Sequence, residues 1–388
     1  MKNKFPIIET INDVLPHIKD RKEFVIAERE YGIICNYLVN MPDTFTIDPN
    51  DPLPGLIRRE CRGITFYPNG KIMSRKFNKF FNIGELDETR PEKIDFSKPH
   101  KILKKLDGSM VSPMIASGPN PEIIWCSKMG ITFISPMVAA FVVDKQYYND
   151  FAHYCIAQNI TPIFEFISPD NRIVLHYEFS NLVLLAARHN VSGEYIDLYS
   201  SEFADIVNYY KIPKVDTINS FNSVNDLIDF VKPLKNEEGF VIAFDDGQRY
   251  KIKADEYVLI HKNKDMIRSN RNIVAFILNN ELDDLIPHLD KIDTNRVREF
   301  ESVFWNAIAA KVEYITKETD NIISKYSGDR KRIATEELPN INDKTLSMYV
   351  FGKLGGKDVR DMVMATLNKN MNADIRFEEF WQWVNETK

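Results

Sequence analysis

The chain has 388 residues, 44% of them hydrophobic and 27% charged, ordinary values for a globular protein of two or three domains with a sizeable core. Its formal net charge of -6 excludes a generally basic nucleic-acid coat while leaving room for a local basic groove. No stretch approaches the roughly 20 apolar residues of a membrane span, and the N-terminus MKNKFPIIETINDVL lacks the apolar run of a secretory signal, so a soluble, cytoplasmic protein is expected. The four cysteines, Cys35, Cys61, Cys126 and Cys155, form no CxxC pair and no zinc spacing, which reads as free thiols in a reducing compartment.

In chain order, the first chemically dense segment is RRECRGITFYPNGKIMSRKFNKFFNIGEL. It carries Arg58, Arg59, Arg62, Lys71, Arg75, Lys76 and Lys79 interleaved with Phe77, Phe80 and Phe81. Guanidinium forks suit phosphate oxygens and aromatic faces suit bases. An edge strand with one solvated face has the same composition.

KILKKLDGSMVSPMI follows, with Lys105 two residues before Asp107. That spacing puts both side chains on one side of an extended strand, and Gly108 lets the backbone turn or a ligand approach. A neutral lysine amine can attack phosphorus, provided burial or neighbouring cations lower its affinity for a proton. Asp107 is a candidate contact to a nucleotide or to hydrated Mg²⁺. The five residues alone equally describe an exposed turn.

Further on, IIWCSKM, PIFEFIS, RIVLHYEF, NLVLLAAR, GFVIAFDD and RYKIKAD read as short strands separated by turns such as SGPNP, SPDN and DDG. Closely spaced strands of this kind pair antiparallel. ISPMVAAFVVDKQYYNDFAHYCIAQN reads as one helix or two, from apolar residues three to four apart. Glu165, between Phe164 and Phe166, is either paired or functional, because burying a lone carboxylate is costly. Glu238 stands just before Gly239 and a strand. Lys251 and Lys253 share one strand face, where they repel by roughly 1 kcal/mol unless a polyanion lies between them or the strand is a solvated edge.

From about residue 262 the pattern becomes helical. Val274, Ile277, Leu278, Leu282, Leu285 and Leu289 fall along one face, as do Val297, Phe300, Phe304, Ala307, Ile308, Val312 and Ile315. The seven histidines show no metal spacing, and no Ser-His-Asp set, P-loop or dinucleotide fingerprint is present.

The order Lys105-x-Asp107-Gly108, Glu165, Glu238-Gly239, Lys251-x-Lys253 resembles the motif series of covalent nucleotidyltransferases: DNA ligases, RNA ligases and mRNA capping enzymes. The strings Glu60-Cys61-Arg62-Gly63-Ile64, Lys79-Phe80-Phe81-Asn82, Lys105-Leu106-Asp107-Gly108-Ser109, Ser127-Lys128, Phe164-Glu165-Phe166, Asn171-Arg172-Ile173-Val174-Leu175 and Lys251-Ile252-Lys253 resemble the RNA ligase 1 family of T-even phages over residues 30 to 261. The resemblance extends more faintly through Leu282-Asp283-Asp284-Leu285.

The resemblance implies an α+β fold: an adenylyltransferase domain of antiparallel sheets with flanking helices over 1–261, then an all-helical domain over 262–388. It implies Lys105 as the residue that carries AMP, with Glu165, Lys128 and Tyr257 as further catalytic residues. It implies an ATP pocket of Arg62, Lys79, Phe81, Asp107, Glu238, Lys251 and Lys253, and an aromatic nucleotide contact near Ile34-Cys35-Asn36-Tyr37. Asp283 corresponds to a position linked to a divalent ion. The implied cofactors are ATP and Mg²⁺, with Mn²⁺ as a substitute. The implied partner is RNA with single-stranded ends, including tRNA nicked in the anticodon loop, joined by a monomer in the host cytoplasm of a phage infection, away from membranes. A DNA ligase or capping enzyme stays open as an alternative, although those usually carry a β-rich domain where this chain turns helical. So does an RNA-binding relative without catalysis, although no motif residue is missing.

Overall fold

The computed structural model describes residues 5–41, 43–116, 122–279, 281–341 and 345–386; the turn expected at SGPNP, residues 117–121, lies outside them. The chain divides into two compact units, Met1–Val258 and Leu259–Lys388. Among the described residues, no helix is long and apolar enough to cross a membrane.

In the first unit, β1 (Phe24–Arg29), β2 (Gly32–Tyr37), β3 (Arg62–Phe66) and β4 (Ile72–Ser74) form a four-stranded antiparallel sheet in chain order. The strands that follow are β5 (Phe81–Asn82), β6 (His100–Lys105), β7 (Ser109–Ile115), β8 (Ile123–Cys126), β9 (Ile160–Ile167), β10 (Asn181–His189), β11 (Tyr195–Ile196), β12 (Thr217–Ile218), β13 (Gly239–Phe244) and β14 (Arg249–Lys253). They make two five-stranded sheets, β11-β10-β9-β7-β8 and β12-β6-β13-β14-β5. Pairing is antiparallel except where β5 joins β14. The fold is therefore α+β with antiparallel sheets, and the basic segment ends in an edge strand.

Strand β9 is buried along its whole length, which explains why ITPIFEFI reads as nearly continuous apolar sequence. Its Phe164 and Phe166 pack with Trp125, Val138, Phe151 and Leu182. Two helices, Ile134–Val142 and Tyr147–Ala157, close that core. The other five-stranded sheet buries Ile102, Phe240, Ile242 and Ile252 against Val224, Leu227 and Val231 of the helix Val224–Val231.

One expected strand does not form. RIVLHYEF, residues 172–179, is irregular, because its backbone donors are taken elsewhere. The N–H groups of Val174 and Leu175 donate to Oδ2 of Asp107 at 2.8 and 2.7 Å. A carboxylate satisfies what a neighbouring strand would have satisfied, and it overrides the local preference for β structure.

The second unit is helical throughout its described residues, with helices such as Asn270–Asn279, Lys291–Lys325, Leu346–Leu354, Val359–Asn370 and Asp374–Asn385. Val274, Ile277, Leu282, Leu285, Val297, Phe304, Ile308 and Ile315 share one buried cluster; Leu278, Leu289, Phe300, Ala307 and Val312 pack at its edge. The helical periodicity thus marks the buried faces.

Candidate active site

A cavity of about 490 Å³ is walled by both five-stranded sheets of the first unit. Leu103, Lys104 and Lys105 of β6, Val241 of β13, and Arg249, Lys251 and Lys253 of β14 form one side. Ser109 and Met110 of β7, Glu165 of β9 and Leu185 of β10 form the other, with Tyr37, Arg62, Lys79 and the turn from Ser127 to Ile134 completing it.

Strand register assembles the cationic side. Gly239 of β13 lies opposite Lys105 on one flank and Lys253 on the other, so all three share a face of the sheet. A side chain at Gly239, where φ is +139°, would put its Cβ 2.0 Å from the carbonyl oxygen of Ile252; only glycine fits. Glu238, 3% exposed, then reaches both lysines. Its Oε1 lies 2.7 Å from Nζ of Lys105 and 3.0 Å from Nζ of Lys253. Lys251 occupies the next position on that face. Burial, together with the nearby Lys79, Lys105 and Arg62, pushes its amine down to about 8 against the opposing pull of Glu85.

Glu165 faces these amines from β9, in register with Met110 and Val183. It is 9% exposed. Burial pushes its carboxyl up to about 8, with Glu238 and Asp107 adding to the rise and Lys105 and Arg62 opposing it. It therefore holds its proton at neutral pH. Gly108 allows this close approach, because a Cβ there would lie 2.4 Å from the Phe166 carbonyl and 3.0 Å from Cγ of Glu165.

Tyr37, left open in the sequence, closes the cavity from the end of β2. Nζ of Lys79 sits 5.6 Å and Nζ of Lys128 5.2 Å from its ring centre. Burial alone would raise its phenol; Lys79, Arg62 and Lys128 together bring it below the usual tyrosine range.

Several residues singled out in the sequence lie elsewhere. Phe81 is 3% exposed in the core of the four-stranded sheet; it supports Lys79, whose Nζ is 4.9 Å from its ring centre, and it does not line the cavity. Asp107 is 1% exposed. Besides the Val174 and Leu175 amides, its carboxylate accepts from the hydroxyl of Tyr257 at 2.7 Å, so it fastens the 172–175 backbone and is absent from the cavity lining. Tyr257 is likewise buried, beneath Lys253, whose Nζ is 4.7 Å from its ring centre. Asp283 is exposed in the helical unit, 3.1 Å from Nη2 of Arg298. No group of three or more His, Cys, Asp or Glu able to hold a metal occurs among the described residues.

The basic segment divides sharply. Arg62 and Lys79 face the cavity, but Arg58 and Arg59 donate to the carbonyls of Thr44 and Phe45. Arg75 is buried against Glu60, which also holds Arg188. Burial would raise the Glu60 carboxyl, yet Arg188 and Arg75 hold it down at about 2. Lys76 is buried too, donating to the carbonyl of Gly63. Arg249 had drawn no attention in the sequence although it shares the i, i+2, i+4 alternation with Lys251 and Lys253. The apolar wall of Leu103, Leu185, Val215 and Val241 carried no signal of its own.

Residues 60–259 match a family model described as RNA ligase. A Thermovibrio ammonificans protein provisionally named an RNA ligase is 29% identical over 294 residues, 71% of this chain and 70% of its own length. The RNA ligase of Rhodothermus phage RM378 is 25% identical over 92% of this chain and 94% of its own. Among solved structures, a Naegleria gruberi RNA ligase variant with ATP and Mn is similar with a TM-score of 0.38 at 15% identity, over 48% of this chain and 58% of that one.

Proposed function

The chain belongs to the RNA ligase family, and from that premise we propose that it joins RNA 5′-phosphate and 3′-hydroxyl ends at the expense of ATP, with Lys105 as the nucleophile. The observation that carries this reading is the pair of amines, Lys105 and Lys253, held by one oxygen of Glu238 on the wall of a cationic cavity. Among the described residues Glu165 is the one carboxylate in that lining, against Arg62, Lys79, Lys104, Lys105, Lys128, Arg249, Lys251 and Lys253. Such an excess of positive charge suits a polyanion such as a triphosphate. The apolar wall of Leu103, Leu185, Val215 and Val241 suits a purine.

In the first step the Lys105 nitrogen attacks the α-phosphorus of ATP. The ammonium first gives one proton to Oε1 of Glu238, 2.7 Å away, which frees the lone pair; a P–N bond then forms, the bond to pyrophosphate breaks, and the second proton leaves with the pyrophosphate. Lys251 and Lys253 stabilise the charge that develops on the departing oxygens. In the second step an oxygen of the RNA 5′-phosphate attacks the same phosphorus, the P–N bond breaks and a 5′-5′ pyrophosphate end results. In the third, an RNA 3′-hydroxyl attacks the 5′-phosphorus and AMP leaves. Positioning and charge stabilisation are the main tasks of the site. The divalent ion expected with ATP is Mg²⁺, or Mn²⁺ in its place. Among the described residues Glu165 is the one carboxylate of the cavity lining and no cluster of three or more metal-ligating side chains occurs, so the divalent ion would come bound to the triphosphate, and the steps above are those of the chain's own residues.

Residues 262–388 are proposed to select the RNA, tRNA broken in the anticodon loop in particular; a chain ending at 261 that still preferred such tRNA over linear RNA would overturn that part. The central test is incubation with α-labelled ATP and Mg²⁺, then mass spectrometry of the modified peptide. The expected result is AMP on Lys105 and no label in Lys105→Ala. Label surviving in that variant would remove the nucleophile assignment.

A further inference from the structure

We infer that the turn following β8 is a stacking rim for the nucleobases at the 5′-phosphate end of the RNA strand, an assignment that rests on the ligase reading above. Three apolar side chains stand out on this turn: Phe133 is 74% exposed, Ile131 52% and Met129 38%. Leu38 and Val39, which follow Tyr37 directly, are 58% and 48% exposed. Met129, Ile131 and Phe133 gather on the one turn, and exposed apolar groups gathered at one place mark a binding surface more often than chance scatter does.

The turn itself is anchored. The N–H of Ile131 donates to the hydroxyl of Tyr31 at 3.0 Å, and Nδ2 of Asn36 donates to Sδ of Met129 at 2.7 Å. The turn is thus held to Tyr31 just before β2 and to Asn36 within it, while Ile131 and Phe133 are offered to solvent.

Charge and continuity identify the partner. Met129 and Phe133 belong both to the rim and to the cavity wall, with Lys128 beside them. A ligand lying on the rim therefore continues into the cationic cavity. A single-stranded RNA terminus has both parts, a phosphate for the lysines and planar bases with exposed π-faces for Phe133. A paired terminus hides those faces in its own stack. The purine of ATP has a separate apolar wall inside the cavity at Leu103 and Val241, which leaves the rim to the RNA.

The test uses the full chain and a fluorescent, 5′-phosphorylated single-stranded oligoribonucleotide, with affinity read by anisotropy. Phe133→Ala is expected to weaken binding about tenfold, the size of one lost base–aromatic stack, while Phe133→Tyr stays within about threefold because the ring is retained. Ile131→Ser is expected to weaken binding by a few fold, and it guards against a folding defect confined to position 133. RNA affinity unchanged in both Phe133→Ala and Ile131→Ser would overturn the rim. So would a change in the oligomeric state of these variants, which would make the occupant a second copy of the chain. AMP labelling of the wild type is measured alongside: its absence would defeat the ligase reading, whereas labelled wild type with an indifferent rim defeats only the stacking assignment.

Discussion

Nζ of Lys105 lies 2.7 Å from Oε1 of Glu238, and that same oxygen lies 3.0 Å from Nζ of Lys253. A carboxylate that is 3% exposed thus balances two ammonium groups which would otherwise repel each other. It also stands where a proton must go when one amine becomes a nucleophile. The two roles are separable by substitution.

Glu238→Gln keeps the shape and removes the charge. AMP labelling of Lys105 is expected to fall by at least about tenfold, the scale of a positioned proton acceptor. Thermal stability is expected to fall by only about 1 kcal/mol, since both lysines are about one-quarter exposed and solvent screens them. Labelling kinetics and a melting curve on the same variant check both.

Glu165 links stability to pH. Its carboxyl is pushed from the ordinary 4.5 up to about 8 in the folded chain, so the folded state holds this proton more tightly than the unfolded state. The resulting stabilisation is full below the ordinary carboxylate value and is lost as pH rises through about 8. Glu165→Gln lacks this dependence. Urea midpoints between pH 5 and pH 9 are expected to fall more steeply for wild type than for the variant; parallel slopes would contradict the upward push that burial gives this carboxyl.

Lys251 predicts proton uptake on nucleotide binding. Its amine is pushed down to about 8 by burial and neighbouring cations, and a bound triphosphate would favour the charged form. At pH 8 about half a proton should be taken up per ATP. Titration calorimetry in two buffers of different ionisation heat measures it, and Lys251→Met should remove this share, leaving only the proton that Glu165, also pushed to about 8, takes up beside the same triphosphate.

Two arginines within fifteen positions of Glu60 in the chain separate stability from function: Arg75 pairs with Glu60 in the interior, whereas Arg62 faces the cavity. Glu60→Gln leaves Arg75 and Arg188 without their anion and should cost about 3–5 kcal/mol, as broken buried pairs do. Arg62→Met should leave the unfolding midpoint within about 0.5 kcal/mol yet lose AMP labelling. Equal stability losses in the two variants would contradict the division of the basic segment.

Asp107→Ala frees the amides of Val174 and Leu175, each about 1–3 kcal/mol of unmet hydrogen bonding, together with the hydroxyl of Tyr257. Limited proteolysis is expected to cut first within 172–179. Cutting there no faster than in wild type would mean that segment is held by other contacts.

Much of this molecule is written locally. Short β-branched and aromatic runs between turns marked β9, β10, β13 and β14, three-to-four spacing marked the helices around Phe151 and Phe304, and the order of Lys105, Glu165, Glu238 and Lys251 pointed to the chemistry. These features depend on residues close together in the chain, where the periods of strand and helix govern which side chains share a face. Tertiary structure decided which charges are free to act. Arg62 and Arg75 look alike in sequence, but Glu60, itself 128 positions from Arg188, takes Arg75 and Arg188 into the core. Asp107 fastens the 172–175 backbone away from the cavity lining, and RIVLHYEF, read as a strand, is a tethered loop. The reason is common to these cases: the energy of a charge or a backbone donor is set by the dielectric and the partners around it, and distant segments supply both only once the chain has folded.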